Sequence, residues 1–176
     1  MHELFQSFDT TVARQIAKLP AWSMPFLAVI TYAGIPAVVV TASLVLSILL
    51  YAQGKKNVSA AFVLVVAALG ANSVVKHLIH RERPDTMYVQ SMAIRSYSFP
   101  SGHAFGSMVF YGLIAYLCYR HLPQPFGALV PVCLAILILL IGLSRVFLGA
   151  HFPSDVVVGW LLGGVALAII IKICGL

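Results

Sequence analysis

Ser144, Arg145, His151 and Asp155 lie within the run SRVFLGAHFPSD, in a chain whose long apolar runs are almost free of charge. Burial of apolar surface calls for none of these four side chains. Ionisable groups at membrane depth are costly, and finding them there points to a functional site. Two further polar blocks accompany them: Pro100-Ser101-Gly102-His103, and Lys76 followed by Arg83-Pro84. Lys76, Arg83 and Arg145 would repel one another around a small space unless an anion sat among them. Arginine offers a planar fork of donors suited to phosphate, and lysine adds a point charge. Ser101-Gly102 precedes an apolar helical run and can open a helix whose free N–H groups face the same anion. Two histidines, His103 and His151, can then divide the work. One attacks phosphorus to form a phosphohistidine, and the other protonates the leaving oxygen. Asp155, four residues after His151, can hydrogen-bond the imidazole and fix its tautomer if both lie on one helical turn. Pro153 between them suits the first turn of a helix and argues against regular helix before it.

Such blocks need a frame to hold them together, and composition says what kind. The 176 residues are 61% hydrophobic and 9% charged, and the mean hydropathy is +0.98. Soluble domains carry about 25% charged residues, so the sequence reads as an all-α, polytopic membrane helix bundle. Its length fits one membrane-embedded domain over residues 1–176. Apolar runs at residues 21–34, 35–51, 58–75, 104–119, 126–143 and 156–173 give about six transmembrane helices. The first is short and holds Pro25, which suggests a tilted or partial span. Residues 77–99 are too polar to cross a bilayer and are expected as an extracytoplasmic loop. Residues 1–20 lack the continuous apolar core of a signal peptide. Leu4, Phe5, Phe8, Val12 and Ile16 recur there at helical spacing, which predicts an amphipathic helix at the membrane interface. Trp22, Tyr32 and Tyr51 suit an aromatic belt, and Gly159-x3-Gly163 allows close helix approach.

If six spans alternate, Arg14, Lys18, Lys55, Lys56, Arg120 and Lys172 share one face. Lys76, Arg81, Arg83, Arg95 and Arg145 share the other. The positive-inside rule favours the first group as cytoplasmic, six against five, and most of the second group has a functional reason to be where it is. Both termini are therefore expected in the cytoplasm, with the polar blocks on the outer face of the cell membrane. All three blocks converge on one face in either orientation.

Other classes fit less well. The net charge is +6, but no basic run or aromatic-interleaved basic patch exists, which argues against nucleic acid. Cys118, Cys133 and Cys174 are scattered through apolar segments and form neither a disulfide framework nor a metal site. Two histidines and an aspartate could bind zinc, but three neighbouring cations disfavour a divalent ion, and no HExxH pattern is present. Several residues also have ordinary roles available. Lys76 taken alone is a snorkelling anchor, and Ser101 an N-cap. Arg81 and Glu82 read as solvated interfacial charges, and His77 and His80 as interfacial filler. Arg95 and Tyr97 stand just before Pro100-Ser101-Gly102-His103 and could touch a lipid headgroup.

Lys76-x6-Arg83-Pro84, Pro100-Ser101-Gly102-His103 and Ser144-Arg145-x5-His151-x3-Asp155 together resemble the three-part signature of the type-2 phosphatidic acid phosphatase superfamily. The resemblance covers roughly residues 58–155, with every signature position present. It implies a six-helix membrane bundle and a metal-independent lipid phosphate phosphatase without a cofactor. It also implies His151 as nucleophile, Asp155 as its partner and His103 as acid for the leaving group. Lys76, Arg83, Ser101, Gly102 and Arg145 would hold the phosphate. Candidate substrates in such a family are phosphatidylglycerol phosphate, undecaprenyl pyrophosphate, phosphatidic acid and a lipid A phosphate. Passing the phosphate to another lipid is an enzymatic rival, differing only in the acceptor. A lipid-phosphate transporter is a rival of another class, but it would favour internal repeats and midplane charges, and no repeat is visible.

Overall fold

The structure is a computed structural model that describes residues 2–20 and 22–176. Met1 and Ala21, which the expected segments 1–20 and 21–34 include, lie outside the described residues. So do the side chains of residues 2–4, and with them the expected contact of Leu4. All regular structure among the described residues is helical. It runs α1 His2–Ile16, α2 Ser23–Ala33, α3 Pro36–Ala52, α4 Lys56–Ile79, α5 Met87–Ser91, α6 Gly102–His121, α7 Phe126–Phe147 and α8 Pro153–Cys174.

Three of these are long and apolar enough to cross a membrane: α4, α7 and α8. The pair α2 and α3 qualifies jointly as one span bent by 43° at Gly34 and Ile35. The count is thus three, or four with the bent pair, where six were expected. The two N-terminal runs differ most from the expectation. Hydropathy measures the length of an apolar run but not its direction, so a bend and a reversal look alike in sequence. Helix α6 has the length but is less apolar, because His103 and the tyrosines Tyr111, Tyr116 and Tyr119 fall within it.

The core forms where α6 packs on α3, α4, α7 and α8. Val39, Ala61, Phe62, Val65, Leu69, Val109, Phe110 and Leu113 are buried together there. Outward residues such as Ile48, Leu129, Leu161 and Ile169 are exposed and apolar, as a lipid-facing surface requires. Far from the polar blocks, α3 and α4 are joined by a serine pair. Ser47 Oγ donates to Ser59 O at 3.0 Å, and Ser59 Oγ donates to Ser47 O at 2.8 Å. Polar bonds of this kind tie helices where burial in hydrocarbon gives no driving force.

The expected N-terminal helix forms, and the face it turns toward the bundle carries Asp9 together with the half-buried Val12, Ala13 and Ile16. Asp9 is buried, whereas Phe5 and Phe8 remain exposed. Its carboxylate accepts from Ser154 N at 2.7 Å and from Ser154 Oγ at 2.8 Å, so α1 sits beside the first turn of α8. The described C-terminus lies at the other end of α8, about 33 Å away at the helical rise of 22 residues. The end of α8 therefore lies away from the contact between Asp9 and Ser154. The bent α2–α3 path makes one crossing fewer than an alternating hairpin would.

Candidate active site

Three chain segments at one end of the bundle bring the polar blocks together. The first is the exit from α4. This helix runs past residue 75 to Ile79, so Lys76 stands on its last turn instead of bordering a loop that begins at residue 77. His80 ends it in the left-handed conformation. Lys76 Nζ donates to Tyr97 O at 3.0 Å and to Ser98 O at 3.3 Å. Arg83 follows in the connection, and its guanidinium holds that loop closed. Nε donates to Ser96 O at 2.7 Å, and Nη2 donates to Ser96 Oγ at 3.0 Å.

Entry into α6, at the far end of the same connection, is the second. Ser101 caps it, with Oγ accepting from Ala104 N at 3.5 Å, and Gly102 is its first residue. Ser101 N donates to Asp155 O at 3.0 Å, which ties this end to α8. Gly159 makes the approach possible. A Cβ there would stand 2.9 Å from Ser101 O, so any larger residue would push α8 away from the start of α6. This is the close packing expected of Gly159-x3-Gly163.

The third is the turn from α7 to α8. Gly149 adopts φ +68°, and a Cβ on it would also lie 2.8 Å from Thr86 Cγ2. That turn lets Ala150 N and His151 N both donate to Arg145 O, at 2.9 and 3.2 Å. His151 is thereby folded back over the end of α7. Pro153 opens α8, as its position between His151 and Asp155 suggested.

The result is a buried His151 with two differently occupied nitrogens. Nε2 lies 3.1 Å from Arg83 Nη1. An arginine can only donate, so Nε2 is the acceptor and carries a lone pair. Nδ1 lies 3.5 Å from Asp155 Oδ2 and 3.3 Å from Ser98 Oγ. Asp155, fully buried, is held on every side. Arg81 Nη1 donates to Oδ1 at 2.6 Å, while Ser98 Oγ and Phe152 N donate to Oδ2. A carboxylate held this firmly gives the imidazole one orientation and one tautomer.

Burial pushes the His151 pKa down to about 3, and the positive charges of Arg83 and Lys76 act in the same direction; Asp155 opposes them. In the unfolded chain the imidazole returns toward its ordinary value of 6.5. Between those values the unfolded state binds a proton that the folded state excludes, so stability falls as pH drops through that window. The midpoint of thermal unfolding in detergent is expected to fall between pH 6.5 and 3. His151→Asn, which cannot titrate, is expected to flatten that slope; an equally steep slope in the variant would contradict the assignment.

The three site cations form no ion pair with a carboxylate among the described residues. Asp155 is taken instead by Arg81. Arg145 is buried, its Nη1 donates to Thr31 Oγ1 at 2.8 Å, and its guanidinium lies 5.6 Å from the centre of the Tyr88 ring. Its Nε has no hydrogen-bond partner among the described residues. Lys76, Arg83 and Arg145 thus gather around the start of α6 with no carboxylate among the described residues paired to any of them. The arrangement suits a phosphate: cations to bind it, a neutral imidazole nitrogen to meet phosphorus, and His103 on the first turn of α6.

The sequence reading missed part of this site. Arg81 is not a solvated interfacial charge. It bridges Asp155 to Asp9, with Nη2 at 2.7 Å from Asp9 Oδ2, and lies 4.3 Å from the centre of the Phe152 ring. Glu82 is exposed, as expected. Ser98 was not singled out, although it is fully buried and bonded to Asp155. Asp9 could have been suspected as one of only five acidic residues in the chain. His77 and His80 pack edge-on against the Tyr97 ring, with centroids 5.7 and 4.5 Å away. The Tyr97 carbonyl, rather than its ring, meets Lys76 and Arg83. Arg95 is exposed and is not drawn into the cluster. Ser144 donates to Ile141 O at 2.6 Å, a bond within its own helix.

Comparison with known proteins places this geometry in context. Residues 57–175 match the PAP2 superfamily. Phosphatidylglycerophosphatase B of Bacillus subtilis is 39% identical over 94 residues, covering 52% of this chain and 45% of that protein. Lipid A 1-phosphatase of Rhizobium etli is 30% identical over 161 residues, covering 74% of this chain and 66% of that protein. The chain thus spans about half to two-thirds of the length of these relatives. Among solved structures, the transmembrane PAP2-type phosphatidylglycerolphosphate phosphatase from Bacillus subtilis superposes with a TM-score of 0.77 at 26% identity. The match covers 96% of this chain and 85% of that one. The LpxE structure from Aquifex aeolicus shares the fold, with a TM-score of 0.69 at 21% identity over 93% of this chain and 94% of that one.

Proposed function

We propose, from the premise that this chain belongs to the PAP2 superfamily, that it removes a phosphate from a membrane lipid phosphate or pyrophosphate. The observation that carries this reading is the double occupancy of His151, with Nε2 turned to Arg83 and Nδ1 to Asp155. It leaves a neutral nitrogen aimed into a group of three cations that have no carboxylate of their own. The relatives, a phosphatidylglycerophosphatase and a lipid A 1-phosphatase by name, favour the same class of substrate.

On this reading the phosphate settles among Lys76, Arg83, Arg145 and the N–H of Gly102, because the N–H of Ser101, also expected to hold it, is bonded to Asp155 O. Arg83 then exchanges its bond to His151 Nε2 for one to a phosphate oxygen, which frees the lone pair. Nε2 attacks phosphorus, the bond to the lipid oxygen breaks, and His103 gives that oxygen its proton. The developing imidazolium keeps its Nδ1 proton facing Asp155. Water then attacks the phosphohistidine, gives its proton to His103 and releases inorganic phosphate. No metal takes part in these steps.

The site end of the bundle is assigned to the outer face of the cell membrane. With Arg81 paired and Lys76, Arg83 and Arg145 in the site, the uncommitted cations there are Arg14, Lys18 and Arg95. Lys55, Lys56, Arg120 and Lys172 lie at the other end, which the positive-inside rule places in the cytoplasm. The exposed Phe5 and Phe8 of α1 suit insertion among headgroups at the site end.

Phosphate release from a panel of lipid phosphates in detergent, with EDTA present, tests the reading. Steady release that EDTA does not reduce is the expected outcome. Release that appears only when a divalent ion is restored would overturn the metal-free mechanism. The same assay on spheroplasts before and after lysis reads the side of the membrane.

A further inference from the structure

Asn72 has no use in the chemistry above, yet it is the most conspicuous polar residue beside it. It lies on α4 one turn before Lys76 and is only 5% exposed, in a helix surrounded by apolar packing. Its Oδ1 is buried without a hydrogen-bond partner among the described residues. Buried side-chain amides are normally satisfied, so a bare one demands an explanation. The place it occupies supplies one. Asn72, Lys76 and Gly102 line a cleft of about 320 Å³ with Pro36, Val40 and Leu69, between α3, α4 and α6. A point one Cβ out from Gly102 is 3.8 Å from Lys76 Cε and 3.9 Å from Asn72 Nδ2. The amide therefore borders the phosphate site, one turn deeper toward the hydrocarbon than Lys76.

That depth corresponds to a definite part of a lipid phosphate. With phosphate at the end of the bundle and the tail in the bilayer, the alcohol fragment next to the phosphate lies between them. We propose that Asn72 binds a hydroxyl on that alcohol fragment, making a polyol phosphate the preferred substrate class of this site. An amide offers both an acceptor and donors, and a hydroxyl is the small group that answers both. A glycerol or sugar phosphate provides it beside the scissile bond. The glycerol of phosphatidic acid is fully esterified, and an isoprenyl pyrophosphate has no hydroxyl there. Either would leave the Asn72 acceptor bare, and sites built to bond a hydroxyl discriminate strongly against substrates that lack it.

This proposal rests on the phosphatase reading, and its test separates the two. The probes are phosphatidylglycerol phosphate and its analogue lacking the hydroxyl on the terminal glycerol, each assayed with the wild-type protein and with Asn72→Leu. Wild type is expected to favour the hydroxyl-bearing lipid in kcat/KM by about 10- to 100-fold, the range for leaving one buried polar partner unpaired. Asn72→Leu is expected to lose that preference and to hydrolyse the deoxy lipid at least as fast as wild type, which also shows that the variant is folded. Equal wild-type rates on both lipids would overturn the proposal, as would a preference retained in Asn72→Leu or an equal loss on both. A wild-type protein inactive on every lipid phosphate would instead remove the phosphatase reading, and this proposal with it.

Discussion

His151→Ala is expected to lower kcat on lipid phosphates by at least about 10⁴-fold, the scale seen when a covalent nucleophile is removed. No other group at the site can substitute. His103 sits on α6, whereas only His151 is folded over the end of α7 with Nε2 facing Arg83 at 3.1 Å. Removing the ring leaves Arg83, Arg145 and Lys76 in place, so lipid phosphate binding is expected to persist within a few-fold. A steady-state assay paired with a lipid-binding measurement separates the two effects. Unchanged release in His151→Ala would remove His151 as nucleophile, whatever happened to binding.

Asp155→Asn is expected to have the next largest effect, and to act on both rate and stability. The carboxylate accepts from Arg81, Ser98 and Phe152 N and faces His151 Nδ1. An amide of the same shape cannot accept at both positions, so the imidazole loses the partner that fixes its tautomer. Loss of such an orienting carboxylate costs about 10³- to 10⁴-fold in kcat. Arg81 is also left with one carboxylate where it had two. Breaking a buried ion pair from one side costs about 3–5 kcal/mol, here moderated because Arg81 keeps Asp9. Thermal unfolding in detergent and kcat should therefore fall together. A variant that is less stable but fully active would show that Asp155 supports the fold without directing His151.

The two predictions concern residues that were legible in sequence for a simple reason. Arg145, His151 and Asp155 stand in a run where hydrocarbon was the default, so their cost made them visible. Ser101 and Gly102 at the head of an apolar run foretold the start of α6 in the same way. Local pattern gave no comparable signal for Arg81 and Asp9. They meet across 72 positions, and a charge on a polar loop looks alike whether it ends in solvent or in a buried ion pair. Ser98 was hidden similarly, as one serine among several before Pro100. At the level of the fold, the apolar runs marked where helices α2 to α4 and α6 to α8 lie. Their course was another matter, because the 43° bend between α2 and α3 depends on packing against α6 and α7 that no local window contains. That one bend moved the N-terminal helix to the site end, where Asp9 completes the network behind His151.

The central claim is that phosphate passes through His151, and a rapid-quench experiment tests it most directly. Protein mixed with a lipid carrying radiolabelled phosphate would be stopped in alkali within the first turnover, then digested and mapped. The expected result is label on the peptide containing His151, stable to alkali and lost in acid, with none in His151→Ala. Full phosphate release with no label on the protein at any time point would contradict it and indicate direct attack by water.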